Sequence, residues 1–431
     1  MTSKPNAVFL HTGYRTAGTW LWSRFRDLPG VTAYYEPLHE MLATLDRATL
    51  EKSTADSWRS GHPQLDTPYF AEYAGLLDPE RCGVPGFDER FAIDRFTADA
   101  PVEAERIEAY LQGLIDAAHA RGTVPVFKFC RSLGRLPWFR ATFADAAHIV
   151  VEKNPISQWQ SCWELFALHG NAHFVAVPLA VLASNLGEPI VTRVLNALKV
   201  DLPFLPGSPE TQTLAASLAF YKQQVGQMPP ADVYRAFLAH WLLTLQHAGT
   251  HAQAIFDCDL AVRSPAYAHS AERWIESLTG LTPTLSNARR SDSQQRDCGF
   301  DSVQGLRIHL AAMQLCKQLV LSGDAHEDSY TVWANKIAQA TQIMAFGADV
   351  NWPQQHADSQ RSVRMVELAL VDGVDIDAAL ASELAATRHA LATSRRQLAQ
   401  LQRSLWFRVT RPVRRWFGDS VGAKRQTVVR N

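Results

Sequence analysis

The sequence carries almost no net charge: 42 lysines and arginines stand against 43 aspartates and glutamates, leaving −1. No whole-chain basic bias points to nucleic acid, and no such partner is expected. Paired cysteines are missing too. The six thiols, at positions 82, 130, 162, 258, 298 and 316, are scattered with no CxxC pair. That excludes a disulfide framework and suits a reducing compartment. No His, Cys and carboxylate cluster has ligand spacing, so no metal is expected. Apolar runs are short. None approaches the roughly eighteen residues of a membrane span, and MTSKPNAVFLHTG at the N-terminus has no run long enough for a signal peptide. The expectation is a cytosolic protein.

What the chain does have is material for a core. Of its 431 residues 47% are apolar, enough for two or three domains or for one elaborated α/β domain with an appendage. The organising stretch is AVFLHTGYRTAGTW, Ala7 to Trp20. Ala7 to Leu10 reads as a buried strand, Gly13 and Gly18 bracket a turn, and Thr19 to Phe25 opens a helix. A strand, a glycine-containing loop and a helix make an anion cradle, because loop amides and the helix N-terminus converge on one spot. Arg15 adds a fixed cation, and Thr16 and Thr19 add hydroxyls. A Walker A loop would carry Lys directly after its second glycine. Here Thr19 follows Gly18, and the cation comes earlier.

Val31 to Tyr35 reads as a second strand, broken by Glu36-Pro37. From Val124 a strand–helix rhythm resumes: VPVFKF (124–129), the loop CRSLGRLP, a helix over WFRATFADA, then HIVVE. AQAIFDCDLAV (252–262) reads as the last strand and residues 265–281 as the helix after it. This alternation implies a parallel sheet, whose ligands bind outside the carboxyl ends of the strands. Glu36, Lys128, Arg131 and Lys153 fall at such ends. Taken singly, each also reads as an ordinary loop charge.

RTAGTW resembles the 5′-phosphosulfate loop of sulfotransferases that use 3′-phosphoadenosine 5′-phosphosulfate (PAPS), with Ala17-Gly18-Thr19 standing where that family usually has Gly-Thr-Thr. IVVEKNPISQWQSCW (149–163) resembles the family's second signature, in which a strand-ending Arg, then Asp or Asn and Pro, and a Ser eight positions on hold the 3′-phosphate. Lys153-Asn154-Pro155 and Ser161 keep that spacing; Lys for Arg keeps the charge but loses the bidentate grip. EPLH (36–39) is similar to the segment of bacterial carbohydrate sulfotransferases, the trehalose enzymes among them, whose Glu is the catalytic base. Lys128 matches a Lys that contacts the transferred sulfuryl group. Many cytosolic relatives place a basic His two residues beyond it; here the residue is Cys130, and a neutral thiol is a poor base.

The resemblance implies a P-loop-like three-layer α/β fold with a central parallel sheet over residues 1–290. It implies donor contacts from Arg15, Thr16, Ala17, Gly18, Thr19, Trp20, Lys153 and Ser161, and catalysis by Glu36, Lys128 and Arg15. The co-substrate would be PAPS, without a metal, and the acceptor a carbohydrate. Residues 41–100 read as a lid or acceptor insertion, where Trp58, His62 and Tyr69, with Arg131 from the loop after the strand 124–129, would meet the sugar; the same aromatics also read as the insertion's own small core. Arg289 and Arg290 suit either a phosphate-closing loop or a solvated one, and no Arg-Lys-Gly signature is present.

Residues 301–372 carry two helical patterns and read as an extension without chemistry. In 376–405, Leu380, Leu384, Leu391, Leu398, Leu401 and Leu405 form a heptad seam suited to coiled-coil self-association, or to packing on the domain itself. The tail 404–431 interleaves Trp406, Phe407, Trp416 and Phe417 with arginines, which suits an anionic membrane surface at its inner face. It also resembles the SWRxTxPLR-type tail of bacterial enzymes of cell-surface polysaccharide synthesis. The rival readings are a P-loop kinase, which would need Mg²⁺ and the missing lysine; a glycosyltransferase-associated protein, which explains neither phosphate segment; and an inactive nucleotide-binding scaffold, which would bind partners but not PAPS.

Overall fold

The computed structural model describes residues 4–52, 61, 63, 65–97, 100–206, 213–286 and 297–346. Trp58, His62, Arg289, Arg290, the heptad segment 376–405 and the tail 404–431 lie outside the described residues.

The first strand, β1 (Val8–Thr12), is buried along its whole length, as expected of a strand covered on both faces. It feeds α1 (Gly18–Arg26), and β2 (Val31–Tyr35) follows. After α2 (Arg47–Lys52) and several single turns comes α3 (Pro101–Ala120). Pro101 opens α3 because its missing N–H is one the first turn does not use. Its predicted stripe of Ile107, Leu111, Leu114, Ile115 and Ala118 is buried. The next elements are β3 (Val124–Phe129), α4 (Leu136–Thr142), β4 (Ala147–Glu152) and α5 (Pro155–His169). A helical run follows: α6 (His173–Ser184), α7 (Pro189–Leu198), α8 (Leu214–Gln224), α9 (Pro230–Leu245) and α10 (Ala248–His251). The described chain ends with β5 (Ala254–Asp257), α11 (Cys258–Ala261), α12 (Pro265–Thr279), α13 (Ser302–Leu321) and α14 (Glu327–Phe346).

The five strands form one all-parallel sheet in the order β2-β3-β1-β4-β5. The chain leaves central β1 for one edge, returns through β3, then crosses β1 to β4. That reversal around β1 is where an open parallel sheet leaves a crevice at its carboxyl edge. Register sets what faces the crevice: Tyr35 lies opposite Lys128, and Glu152 opposite Asp257. One apolar body joins Phe9, Phe127 and Ile149 of the sheet to Trp22 and Phe25 of α1, Leu111 of α3 and Ile275 of α12. A second joins Trp159, Val177 and Leu238 of the middle helices to Leu315 and Trp333.

Three expectations change. The last strand is only four residues long, because the Asp257 side chain accepts from the backbone N–H groups of Asp259 and Leu260 and turns the chain into α11. Within the stretch 41–100, the described Leu42, Leu45, Tyr73, Phe91 and Phe96 are buried in the main apolar bodies and not in a small core of their own. In the 301–372 segment, described as far as 346, α13 and α14 supply core side chains such as Ile308, Leu315, Trp333 and Ile337. Their apolar stripes are long enough to need covering: α7 and α9 pack on α13, and α5 and α9 on α14.

Candidate active site

The loop after β1 is strained, and its strain has a geometric cause. Arg15 and Ala17 both hold positive φ, 62° and 66°, in the region that disfavours side chains. Gly18 must be glycine: a Cβ there would lie 2.6 Å from Cγ2 of Thr12. Thr12 is itself pinned by donating to the Phe129 carbonyl at 2.7 Å, so the loop is pressed against the strand tops. Ala17 occupies the N-cap of α1 and has no side chain to take the first-turn amides, which leaves the helix N-terminus suited to an anion. Glu36, just past β2, has φ 44° and is fixed by its N–H to the Lys128 carbonyl at 2.8 Å. Of the four non-glycine residues with positive φ among those described, these three surround one cavity; the fourth, Lys199, ends α7. Backbone strain of roughly 1–3 kcal/mol per residue persists where surrounding structure imposes it, commonly at sites of function.

The cavity holds about 860 Å³, within the ~300–1,000 Å³ of small-molecule sites. Arg15, Thr16, Ala17, Gly18, Thr19 and Trp20 line it, as do Glu36, Lys128, Arg131, Lys153, Ser161 and Tyr69. Every candidate residue among those described therefore faces one space. At its floor, the Lys128 ammonium pairs with Glu36 Oε1 and donates to Cys130 Sγ at 3.0 Å. Glu36 Oε2 accepts from the Cys130 N–H at 2.9 Å, with Arg131 3.8 Å away. Arg131 also pairs with Glu40 at 2.6 Å. Burial works to raise the Glu36 pKa, but Lys128 and Arg131 outweigh it and hold the carboxyl at about 2. Burial opposes the Lys128 charge, yet Cys130 and Glu36 keep its pKa above the ordinary value. Burial pushes the Cys130 thiol up to about 11. Cys130 is thus a neutral thiol, and Glu36 a carboxylate held by a cation.

Across the cavity, Arg15 Nε donates to Ser161 Oγ at 3.0 Å, its guanidinium reaches the Gly61 carbonyl at 3.3 Å, and it lies 5.2 Å from the centre of the Phe174 ring. The resemblance assigns Arg15 and Ser161 to different phosphates; the structure brings them into contact. Ser161 is two turns into α5 because Asn154 caps that helix, its side chain accepting from the Ser157 N–H at 2.9 Å. Gln158 holds the Lys153 carbonyl at 2.7 Å, which orients the Lys153 turn. Trp20 lines the cavity with its ring 6.4 Å from that of Phe256. Tyr69 and Phe70 line it too, whereas Tyr73 is wholly buried and donates to the Tyr35 carbonyl at 3.2 Å.

No family model, no curated protein and no solved structure matches this chain. The site has to be read from its own chemistry.

Sequence reasoning missed part of it. His39, Glu164, Asn171, His173, Phe174 and Lys222 also line the cavity: His39 sits in the turn after β2, while the others come from α5, α6, α8 and the turn between α5 and α6, whose helical patterns carry no marker of a site. Glu40 escaped notice although it closes the EPLHE segment, since only its ion pair with Arg131 distinguishes it from a solvated carboxylate. Among the described residues no group of three or more metal-ligating side chains occurs, and no single helix is long and apolar enough to cross a membrane.

Proposed function

We propose that this chain is a sulfotransferase with a P-loop-like fold, moving a sulfuryl group from PAPS to a hydroxyl of a carbohydrate. The observation that carries the reading is the meeting of Arg15, Lys128, Lys153 and Ser161 with Glu36 around one cavity at the carboxyl edge of the sheet. The residues present fit such a donor. A strained loop and an uncapped helix N-terminus suit a 5′-phosphate, and Lys153 with Ser161 suits a second, 3′-phosphate.

PAPS, when bound, supplies a sulfuryl group joined to a phosphate leaving group. Arg15, Thr16, Thr19 and the loop amides would neutralise the charge that grows on that phosphate, the preorganised type of stabilisation that dominates such transfers. Lys128 would turn from Glu36 toward sulfuryl oxygens. Glu36, relieved of its cation, becomes a stronger base and would take the acceptor hydroxyl proton at Oε1. Cys130 would stay protonated and hold the floor of the site. His39, Glu164, Asn171 and His173 offer the mixed donors and acceptors that sugar hydroxyls require.

The tail supports a place of work. Its aromatics and cations would hold the protein at the cytoplasmic face of a membrane, each Lys or Arg contributing about 1 kcal/mol, beside a glycan built on a lipid carrier.

Calorimetry with PAP, the desulfated product, against ADP and AMP tests the assignment. PAP should bind at least about tenfold tighter than ADP. Equal affinities would overturn it and favour an ordinary nucleotide site.

A further inference from the structure

The 3′-phosphate candidates, Lys153 and Ser161, flank a turn that is held from behind. Both oxygens of Asp259 grip Asn154: Oδ2 accepts from its backbone N–H and Oδ1 from its side-chain amide, each at 2.7 Å. Asn154 in turn caps α5. The clamp therefore fixes the residue after Lys153 and the helix that carries Ser161. Asp259 is not alone. Glu152 precedes Lys153, Asp257 ends the neighbouring strand, and all three carboxylates are buried around the ammonium of Lys336 of α14. Its ammonium lies 2.7 Å from Asp257, 3.0 Å from Asp259 and 3.5 Å from Glu152.

Lys336 sits on the buried stripe of α14, between Trp333 and Ile337 and Ala340, with a side chain 1% exposed. The position is held firmly. Trp333 donates to the Leu242 carbonyl at 3.0 Å, and Ser329 donates to that of Gln246, so α14 is docked on α9. A lysine costs several kcal/mol to desolvate unless paired, and here its ammonium lies within ion-pair distance of three acids. Without it, neighbouring negative charge would oppose any anion brought to Lys153, and Asp259 would have reason to take a proton and release half of its clamp.

We propose that Lys336 is a positioning residue for the 3′-phosphate of the donor: it keeps Asp259 ionised, and so keeps Asn154, Lys153 and Ser161 in the geometry that selects a 3′-phosphorylated adenosine nucleotide. This rests on the sulfotransferase reading and gives the two C-terminal helices of the described chain a part in donor choice.

The test compares PAP and ADP by calorimetry on the full chain, as wild type, Lys336→Met and Asp259→Asn. Asp259→Asn keeps the size of the side chain and removes one of the two clamping oxygens. The wild type should prefer PAP at least about tenfold. In both variants PAP affinity should fall about tenfold while ADP changes less than about twofold, so that the preference disappears. General loosening of the fold would weaken both ligands together. That result, or a folded variant that keeps the wild-type ratio, overturns the proposal. Should Lys336→Met fail to fold by circular dichroism, Asp259→Asn decides alone. A wild type without preference for PAP instead removes the donor reading, and the proposal with it.

Discussion

Two buried ion clusters sit at the carboxyl edge of the same sheet, and they are built to opposite rules. At the ends of β2 and β3, two cations, Lys128 and Arg131, meet two carboxylates, Glu36 and Glu40. The balance is even, and Glu36, Lys128 and Arg131 line the cavity. At the ends of β4 and β5, one ammonium, that of Lys336, meets three carboxylates, Glu152, Asp257 and Asp259. That cluster lies behind the cavity wall and is acid-rich. Burial with two neighbouring acids pushes Glu152 up to about 7 despite Lys336, whereas two cations hold Glu36 at about 2. The first cluster can exchange a partner for an incoming anion; the second can only hold shape. Burial alone does not say whether a charge works or supports. The ratio of partners, and access to a ligand, do.

The sharpest break in that comparison is Lys128→Met. It strands Glu36 at the cavity floor, and losing one side of a buried pair costs about 3–5 kcal/mol. Chemical denaturation should show the loss, and the double variant Lys128→Met/Glu36→Gln should recover part of it, because no uncompensated charge remains. If the double variant is less stable than the single, the pair is not the source.

Turnover comes next. On the proposed reading, Glu36→Gln keeps size and hydrogen bonding but removes the base, so sulfuryl transfer should drop by about 10²-fold or more with PAP affinity retained. Cys130→Ser should matter far less, since a thiol held near 11 is not the proton acceptor. The reverse ranking in a transfer assay would remove Glu36 from the mechanism.

A smaller effect is expected at the proposed donor site. Lys153→Ala should erase a preference for PAP over ADP worth at least about 1.4 kcal/mol, with the circular dichroism spectrum unchanged. Retained preference would mean that the 3′-phosphate lies elsewhere.

The two clusters should also answer pH with opposite signs. Glu36 is held below its ordinary 4.5, so its stabilisation is present above that pH and is lost as pH falls toward about 2. Glu152 is raised, so its contribution is full below pH 4.5 and is lost as pH climbs through about 7. Thermal melts should therefore show Glu152→Gln gaining on the wild type between pH 5 and 7.5, while the deficit of Glu36→Gln stays level there and closes only in strong acid. Parallel curves for the two variants would deny the contrast. Deletion from Ser404 is the mildest change for the site: anionic vesicles should no longer sediment the protein, and PAP affinity should stay the same.

Much of the crevice was legible in the chain itself. The apolar run before Gly13 gave β1, and Glu36-Pro37 marked the end of β2 at the residue where the structure ends it. Local chemistry suffices for such features, since a strand interior must be apolar and Pro stops a ladder. The spacing from Lys153 through Asn154-Pro155 to Ser161 places a cap, a helix start and a hydroxyl two turns on, all within one α-helix. Tertiary structure alone decided the rest. No pattern in β2 and β3 shows that Tyr35 pairs with Lys128 and so seats Glu36 on that lysine; strand order and register do that. Nor does α14 announce its role, although a lysine within the stripe Val332, Trp333, Ile337 and Ala340 is the one local clue. Charges separated by 184 positions, Glu152 and Lys336, meet only because the sheet edge and a docked helix bury both, and a buried charge is held where an opposite charge can meet it.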